Sequence, residues 1–195
     1  GTNVSDLETI SVKAGALAGN ASFVNMGASA LTVATSGATT GNTISADNSG
    51  AITVNMGATS TQTAQADFQS GLTFNNASAL TVNVGELMKY STGTITTLTT
   101  GEATVNVAAK TVSGVETTEF AGPLTADTAS KLVVDASGQV TGATFNVAKA
   151  KAVEITTGSV ENSDIVELGA DAATSLKITA GKGLDMENGG TTNLD

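Results

Sequence analysis

The stretch Ala77-Ser78-Ala79-Leu80-Thr81-Val82 repeats, residue for residue, Ala28-Ser29-Ala30-Leu31-Thr32-Val33. Looser copies stand at Ala129-Ser130-Lys131-Leu132-Val133-Val134 and at Thr174-Ser175-Leu176-Lys177-Ile178. Related strings lie between them: Ala51-Ile52-Thr53-Val54-Asn55, Ala103-Thr104-Val105-Asn106-Val107 and Ala143-Thr144-Phe145-Asn146-Val147. Each alternates apolar with small polar residues, and Gly, Ala, Ser or Asn bounds it. A period of two places the apolar set on one face of a strand. One strand written many times predicts a stacked β-array. The anchors Leu31 and Ile52 are 21 residues apart. That is one coil of a β-solenoid, whose repeats run roughly 20 residues or more.

Composition agrees. Apolar residues make up 40% of the 195, but they lean on Ala and Val, with five Phe, one Tyr and no Trp. Such a set suits a narrow interior better than a wide globular one. Thr supplies 33 residues, and its β-branched side chain fits a pleated surface. Charged residues are only 13%, so the surface is polar but largely uncharged, as close lateral packing requires. The regular return of Val, Ile and Leu argues against a solvated, disordered tract.

The net charge is −10 and every basic residue is Lys. A basic face that neutralises phosphates is missing, which argues against a nucleic-acid partner. Cysteine and histidine are both absent, so thiolate chemistry, disulfides and the usual general bases are excluded together. Nothing places a Ser beside a Lys in a strained turn. The expectation is a non-catalytic chain. No apolar run reaches the length of a membrane span. The chain opens at Gly1 without a signal peptide, and we expect one segment, 1–195, of a longer protein.

Taken in order, Asp6–Val12 reads as a strand and Ala14–Asn20 as a turn. Leu31–Val33 and Ile52–Val54 are strands, with a Gly/Ser/Thr/Asn-rich connection over Thr35–Gly50 that holds Ile44 on a minor strand. Thr61–Ser70 breaks the pattern and predicts a loop with a helical turn near Ala64–Phe68. Gly85–Ser91 reads as a second excursion, with a sub-boundary near 85–95. From Thr94 the strands crowd: Thr94–Leu98, Ala103–Val107, Val115–Phe120, Lys131–Val134, Ala143–Val147, Ala152–Ile155, Asp164–Leu168 and Ser175–Ile178. Pro123 falls between strands on this reading. No segment sustains a 3.6-residue period. The fold class is all-β: an elongated, right-handed parallel β-solenoid, or β-helix, with short loop excursions.

Acidic residues gather over 164–195. Gly181-Lys182-Gly183-Leu184-Asp185 matches three fixed positions of the calcium nonapeptide G-G-x-G-x-D-x-U-x. Ala180 stands where the first Gly belongs, and Glu187 replaces the large apolar residue. Glycines let carbonyls turn toward a hard cation, and Asp adds an anionic oxygen. Asp185 is the first candidate ligand, then Asp171 and Asp164, with Glu187 and Asn188 completing a shell. A Gly-rich turn with a solvated Asp explains the same residues equally well.

Ser113-Gly114-Val115-Glu116-Thr117, echoed by Ser5-Asp6-Leu7-Glu8-Thr9, resembles strand openings of bacterial surface-layer proteins of the type I-secreted, RTX-related kind. The Thr/Ala/Gly-rich, cysteine-free composition resembles that family along almost the whole chain. The resemblance implies a secreted, calcium-stabilised β-solenoid on the outer face of the cell envelope, tiled with copies of itself into a two-dimensional lattice. It implies lipopolysaccharide anchoring through regions outside this chain. Tandem nonapeptides are absent here. The rival reading is a stalk or passenger segment of a large bacterial adhesin, which stays monomeric with calcium where a coat protein forms sheets. A carbohydrate-active β-helix is disfavoured, since aromatics are 3% and Arg and His are absent.

Overall fold

The structure, a computed structural model, describes residues 8–24, 27–47, 50–112, 115–158 and 162–186. Among these the chain is all-β and contains no helix. Two large sheets carry almost every strand, and every pairing within them is parallel. The first sheet stacks Thr9–Lys13, Ala30–Ser36, Ala51–Gly57, Ala79–Val84, Glu102–Val107, Lys131–Ala136, Ala152–Thr157 and Ser175–Ala180, in chain order. The second sheet has 11 strands and receives the chain between these visits. Its longest members are Thr39–Asp47 and Ala66–Asn75. Parallel neighbours cannot be joined by a tight hairpin, so each return to a sheet needs a crossing through the other.

The repeated hexapeptide lies at the centre of this arrangement. Its alternation turns Leu31 and Val33 inward and Thr32 and Ala34 outward. Register then aligns like with like. One inward row runs Ile10, Leu31, Ile52, Leu80, Ala103, Leu132, Val153, Leu176. Its neighbour runs Val12, Val33, Val54, Val82, Val105, Val134, Ile155, Ile178. From Leu31 to Val153 and from Val33 to Ile155 both rows are fully buried. Burying one such side chain is worth about 1.5–3 kcal/mol. The turns are laddered too: Gly50 N donates to Ser29 O, Ser78 N to Gly50 O and Lys151 N to Ser130 O.

The second sheet supplies the bulky half of the core. Phe68, Tyr90, Phe120 and Phe145 form a stacked row with centroid spacings of 5.9, 5.3 and 5.8 Å. Register brings Phe68, Tyr90 and Phe120 to equivalent positions on neighbouring strands. Tyr90 is wholly buried and its hydroxyl donates to Ser70 O at 3.3 Å. Burial pushes that hydroxyl above its ordinary pKa. Gly122 packs its backbone directly on the Tyr90 ring, and any Cβ there would overlap Cε1.

Several expectations need correction. Thr61–Ser70 is irregular only as far as Gln65 and has no helical turn: Ala66–Asn75 is a ten-residue strand with Phe68, Ser70, Leu72 and Phe74 inward. Small, polar Ser70 in an inward position hid the alternation. Gly85–Ser91 is not an excursion, since Met88–Tyr90 is a strand with both ends buried. Thr35–Gly50 contains a nine-residue strand rather than a connection with a minor one. Pro123 does not lie between strands but opens Pro123–Thr125, a position where a missing donor is tolerated. Val115–Phe120 divides into Val115–Glu116, paired antiparallel with Thr111–Val112, and Glu119–Phe120 in the second sheet. The repeats predict Leu31, Val33, Leu80, Val82, Leu132, Val134, Leu176 and Ile178 inward; the first six are buried, while Leu176 is half-buried and Ile178 is 38% exposed. Both belong to the last strand in the order of the first sheet, where a neighbour covers them on one side alone.

The contrast sets a test. Leu80→Ala should cost about 2–5 kcal/mol, the range for a fully enclosed Leu, and Leu80→Asp should abolish folding of the strands around it because the buried charge has no partner. Ile178→Ala should cost under about 1 kcal/mol. Urea unfolding followed by circular dichroism compares them, and equal costs at both positions would contradict the enclosed rows.

Candidate functional site

Charge on this surface obeys a rule of register. In-register stacking sets each outward side chain beside its counterpart one strand away, where like charges destabilise and opposite ones help. Glu102 and Lys131 are register partners, Glu154 and Lys177 are register partners in the next outward column, and Lys131 also reaches Glu154 on the diagonal. Lys131 Nζ lies 2.9 Å from Glu154 and 3.7 Å from Glu102. Its hydrogen bond to Glu154 raises the Lys131 pKa, and the same bond lowers that of Glu154. Lys89 pairs with its register neighbour Glu119 at 2.9 Å.

The predicted ligands break this rule at one place. Asp164, on Ser163–Gly169, is the register partner of Asp185, on Leu184–Met186. Two carboxylates thus stand side by side on parallel strands. Asp164 is half-buried, and its Oδ1 is enclosed without a hydrogen-bond partner. Asp185 is exposed. Asp171 occupies the turn before Ser175–Ala180 and is exposed. Among the described residues no three acidic side chains converge as a metal-binding group. Glu187 and Asn188 lie outside the described residues, as do Ser113 and Gly114 of the pentapeptide.

The glycines of the Gly-x-Gly string have a packing reason. A Cβ at Gly181 would come within 2.7 Å of Gly158, and one at Gly183 within 2.9 Å of Asn162 Oδ1. Gly181 closes on the backbone of Gly158 and Thr157, where no side chain fits, while Gly183 meets the end of the exposed Asn162 side chain. Asn162, which the motif does not include, adds an amide oxygen beside the Gly183–Asp185 string. The site therefore offers two carboxylates and an amide oxygen, acceptors that suit a hard cation. Sequence spacing alone could not find Asn162, because it lies a full crossing earlier.

A second outward feature is amide-based. Asn55, Asn83 and Asn106 occupy one column, next to the column Thr32, Thr53, Thr81 and Thr104. Asn83 Nδ2 donates to Asn55 Oδ1 and Asn106 Nδ2 to Asn83 Oδ1, both at 2.7 Å.

Comparison with known proteins adds no relative: no family model, no curated protein and no solved structure matches the chain.

The ion-pair row carries a pH signature. Glu154 has a lowered folded pKa, so its contribution is present above its ordinary value of 4.5 and is lost as pH falls below it. Lys131 has a raised one, so its contribution is complete below 10.5 and is lost as pH rises past that value. Both groups are partly exposed, and the effect is small. The melting-temperature difference between wild type and Glu154→Gln should therefore be largest near neutrality and shrink at pH 3. A difference that grows at pH 3 would contradict the assigned pairing.

Proposed function

We propose that the chain is a right-handed parallel β-solenoid that serves as a non-catalytic building block of a self-assembling bacterial surface layer, stabilised by calcium. What supports the winding is the alternation of strands between two parallel sheets, with unshifted register across all eight strands of the first. Parallel crossovers in one sheet are right-handed in roughly 98% of cases. The observation that carries the coat reading is the outward face itself. Over Ala30–Ser36, Ala51–Gly57 and Ala79–Val84 the outward positions hold only Ala, Thr, Asn, Ser and Gly, in a chain whose net charge is −10. A flat face free of charge lets acidic copies approach each other closely. The resemblance to type I-secreted, RTX-related surface-layer proteins points the same way and places the parent protein outside the cell, with lipopolysaccharide contacts in other regions.

Calcium enters through Asp164 and Asp185. A divalent cation between register-paired carboxylates removes their repulsion, and Asn162 Oδ1 with backbone carbonyls and water supplies further oxygen ligands. Neighbouring copies at −10 repel within roughly 8 Å at physiological ionic strength, and cations bound at their surfaces reduce this.

Electron microscopy and isothermal calorimetry of the chain, with calcium and with a chelator, test the proposal. Ordered sheets should form in calcium and disperse on chelation, with a lower melting temperature. At calcium 100-fold above its Kd the stabilisation amounts to about 2.7 kcal/mol. Asp185→Ala should weaken the response and Asp171→Ala should leave it nearly intact. A chain that stays monomeric in calcium favours the adhesin stalk, and absence of calcium uptake removes the cation from either reading.

A further inference from the structure

The asparagine column ends in a mismatch. Each amide donates toward the preceding strand, so Oδ1 of Asn106 is the open end of the run. The next residue in that column is Asp135, whose carboxylate is an acceptor only. Asp135 is exposed and makes neither a hydrogen bond nor an ion pair. Two acceptors therefore face each other across one strand spacing, about 4.8 Å, and no hydrogen bond can join them.

Beside this gap the surface is hollow. Two residues beyond Asn83, Asn106 and Asp135 stand Gly85, Ala108 and Ser137, all too small to fill the space. Together these residues line a depression of about 320 Å³. Its size matches the lower end of small-ligand sites, roughly 300 Å³.

We propose that this groove binds a primary amine, with the ammonium held between Asn106 Oδ1, the Asp135 carboxylate and Ser137 Oγ. An ammonium brings three donors and no acceptor, which matches three acceptors on two adjacent strands. Two N–H···O contacts of about 2.7–3.2 Å, bent at nitrogen, span the strand spacing. The amide ladder already fixes Asn83 and Asn106, so little side-chain freedom is lost on binding. The acidic chain draws cations to the groove. Calcium is a poorer fit, because it takes six to eight oxygen ligands and a single carboxylate lies here. This site is separate from Asp164 and Asp185 and does not depend on the coat reading.

Two-dimensional amide NMR of the chain, titrated with methylammonium, tests it. The backbone amides of Gly85, Ala108 and Ser137 and the side-chain amides of Asn83 and Asn106 should shift together and saturate. Tetramethylammonium, which has the charge but no N–H, should leave them in place. Asp135→Asn lets the ladder continue by one rung and should weaken the response by about tenfold or more, since a charged hydrogen bond is lost. Ala108→Leu fills the hollow and should remove the response while Asp135 stays. Equal shifts with tetramethylammonium, or an undiminished response in Asp135→Asn, would overturn the proposal. So would a ladder running in the opposite sense, with Asn106 Nδ2 donating to Asp135, because that closes the gap without a ligand.

Discussion

Unshifted parallel pairing is the constraint on which everything else depends. A parallel ladder shares each strand's N–H and C=O groups with two neighbours, and here it repeats with constant register through the whole first sheet. Such a ladder forces every side chain to lie beside its counterpart one strand away. Apolar residues gain from this, and so Val stacks on Val and Leu on Leu. Charges lose unless they alternate in sign. The low charge content, the Thr and Asn columns and the opposite-sign register pairs Glu102–Lys131 and Glu154–Lys177 are three answers to that one demand. Asp164 beside Asp185 departs from it, and therefore that pair, rather than any motif, marks the candidate cation site.

The two sheets divide the interior between them. The first contributes two aliphatic rows. The second contributes four aromatic rings in one stacked row, Phe68 to Phe145. Rings stacked with offset faces add about 0.5–1.5 kcal/mol per pair beyond their buried area. Glycine is the complement of this row. Gly122 leaves room for the Tyr90 ring, so this glycine is a packing site.

The proposed role and the proposed amine site use different parts of one surface. Over Ala30–Ser36, Ala51–Gly57 and Ala79–Val84 the outward positions are uncharged, which suits contact between copies. From Glu102 onward charges enter the columns, and the amide ladder meets its first carboxylate at Asp135. A repeating array makes one face uniform, and a single changed rung makes a local site within it.

The hexapeptide alone determined the all-β class, the inward rows and most strand positions in the first sheet. Its alternation fixes which residues share a face, and that information is local. The second sheet was legible in part: Thr94–Leu98, Ala143–Val147 and Asp164–Leu168 show their alternation in sequence, whereas its strands before residue 91 do not. Ser70 and Tyr90 occupy inward positions for reasons of mutual packing, and a small polar residue or a lone aromatic carries no period by itself. Thr39–Asp47, apart from Ile44, and the first half of Ala66–Asn75 read as connections on that account. The candidate site divides in the same way. Asp164 and Asp185 could be singled out from sequence, but their pairing is a matter of register between strands a full crossing apart. Asn162, the Asn106–Asp135 gap and the exposure of Ile178 likewise arise from neighbours distant in sequence. Those relations exist only after the chain has folded, because the backbone ladder that creates them is non-local.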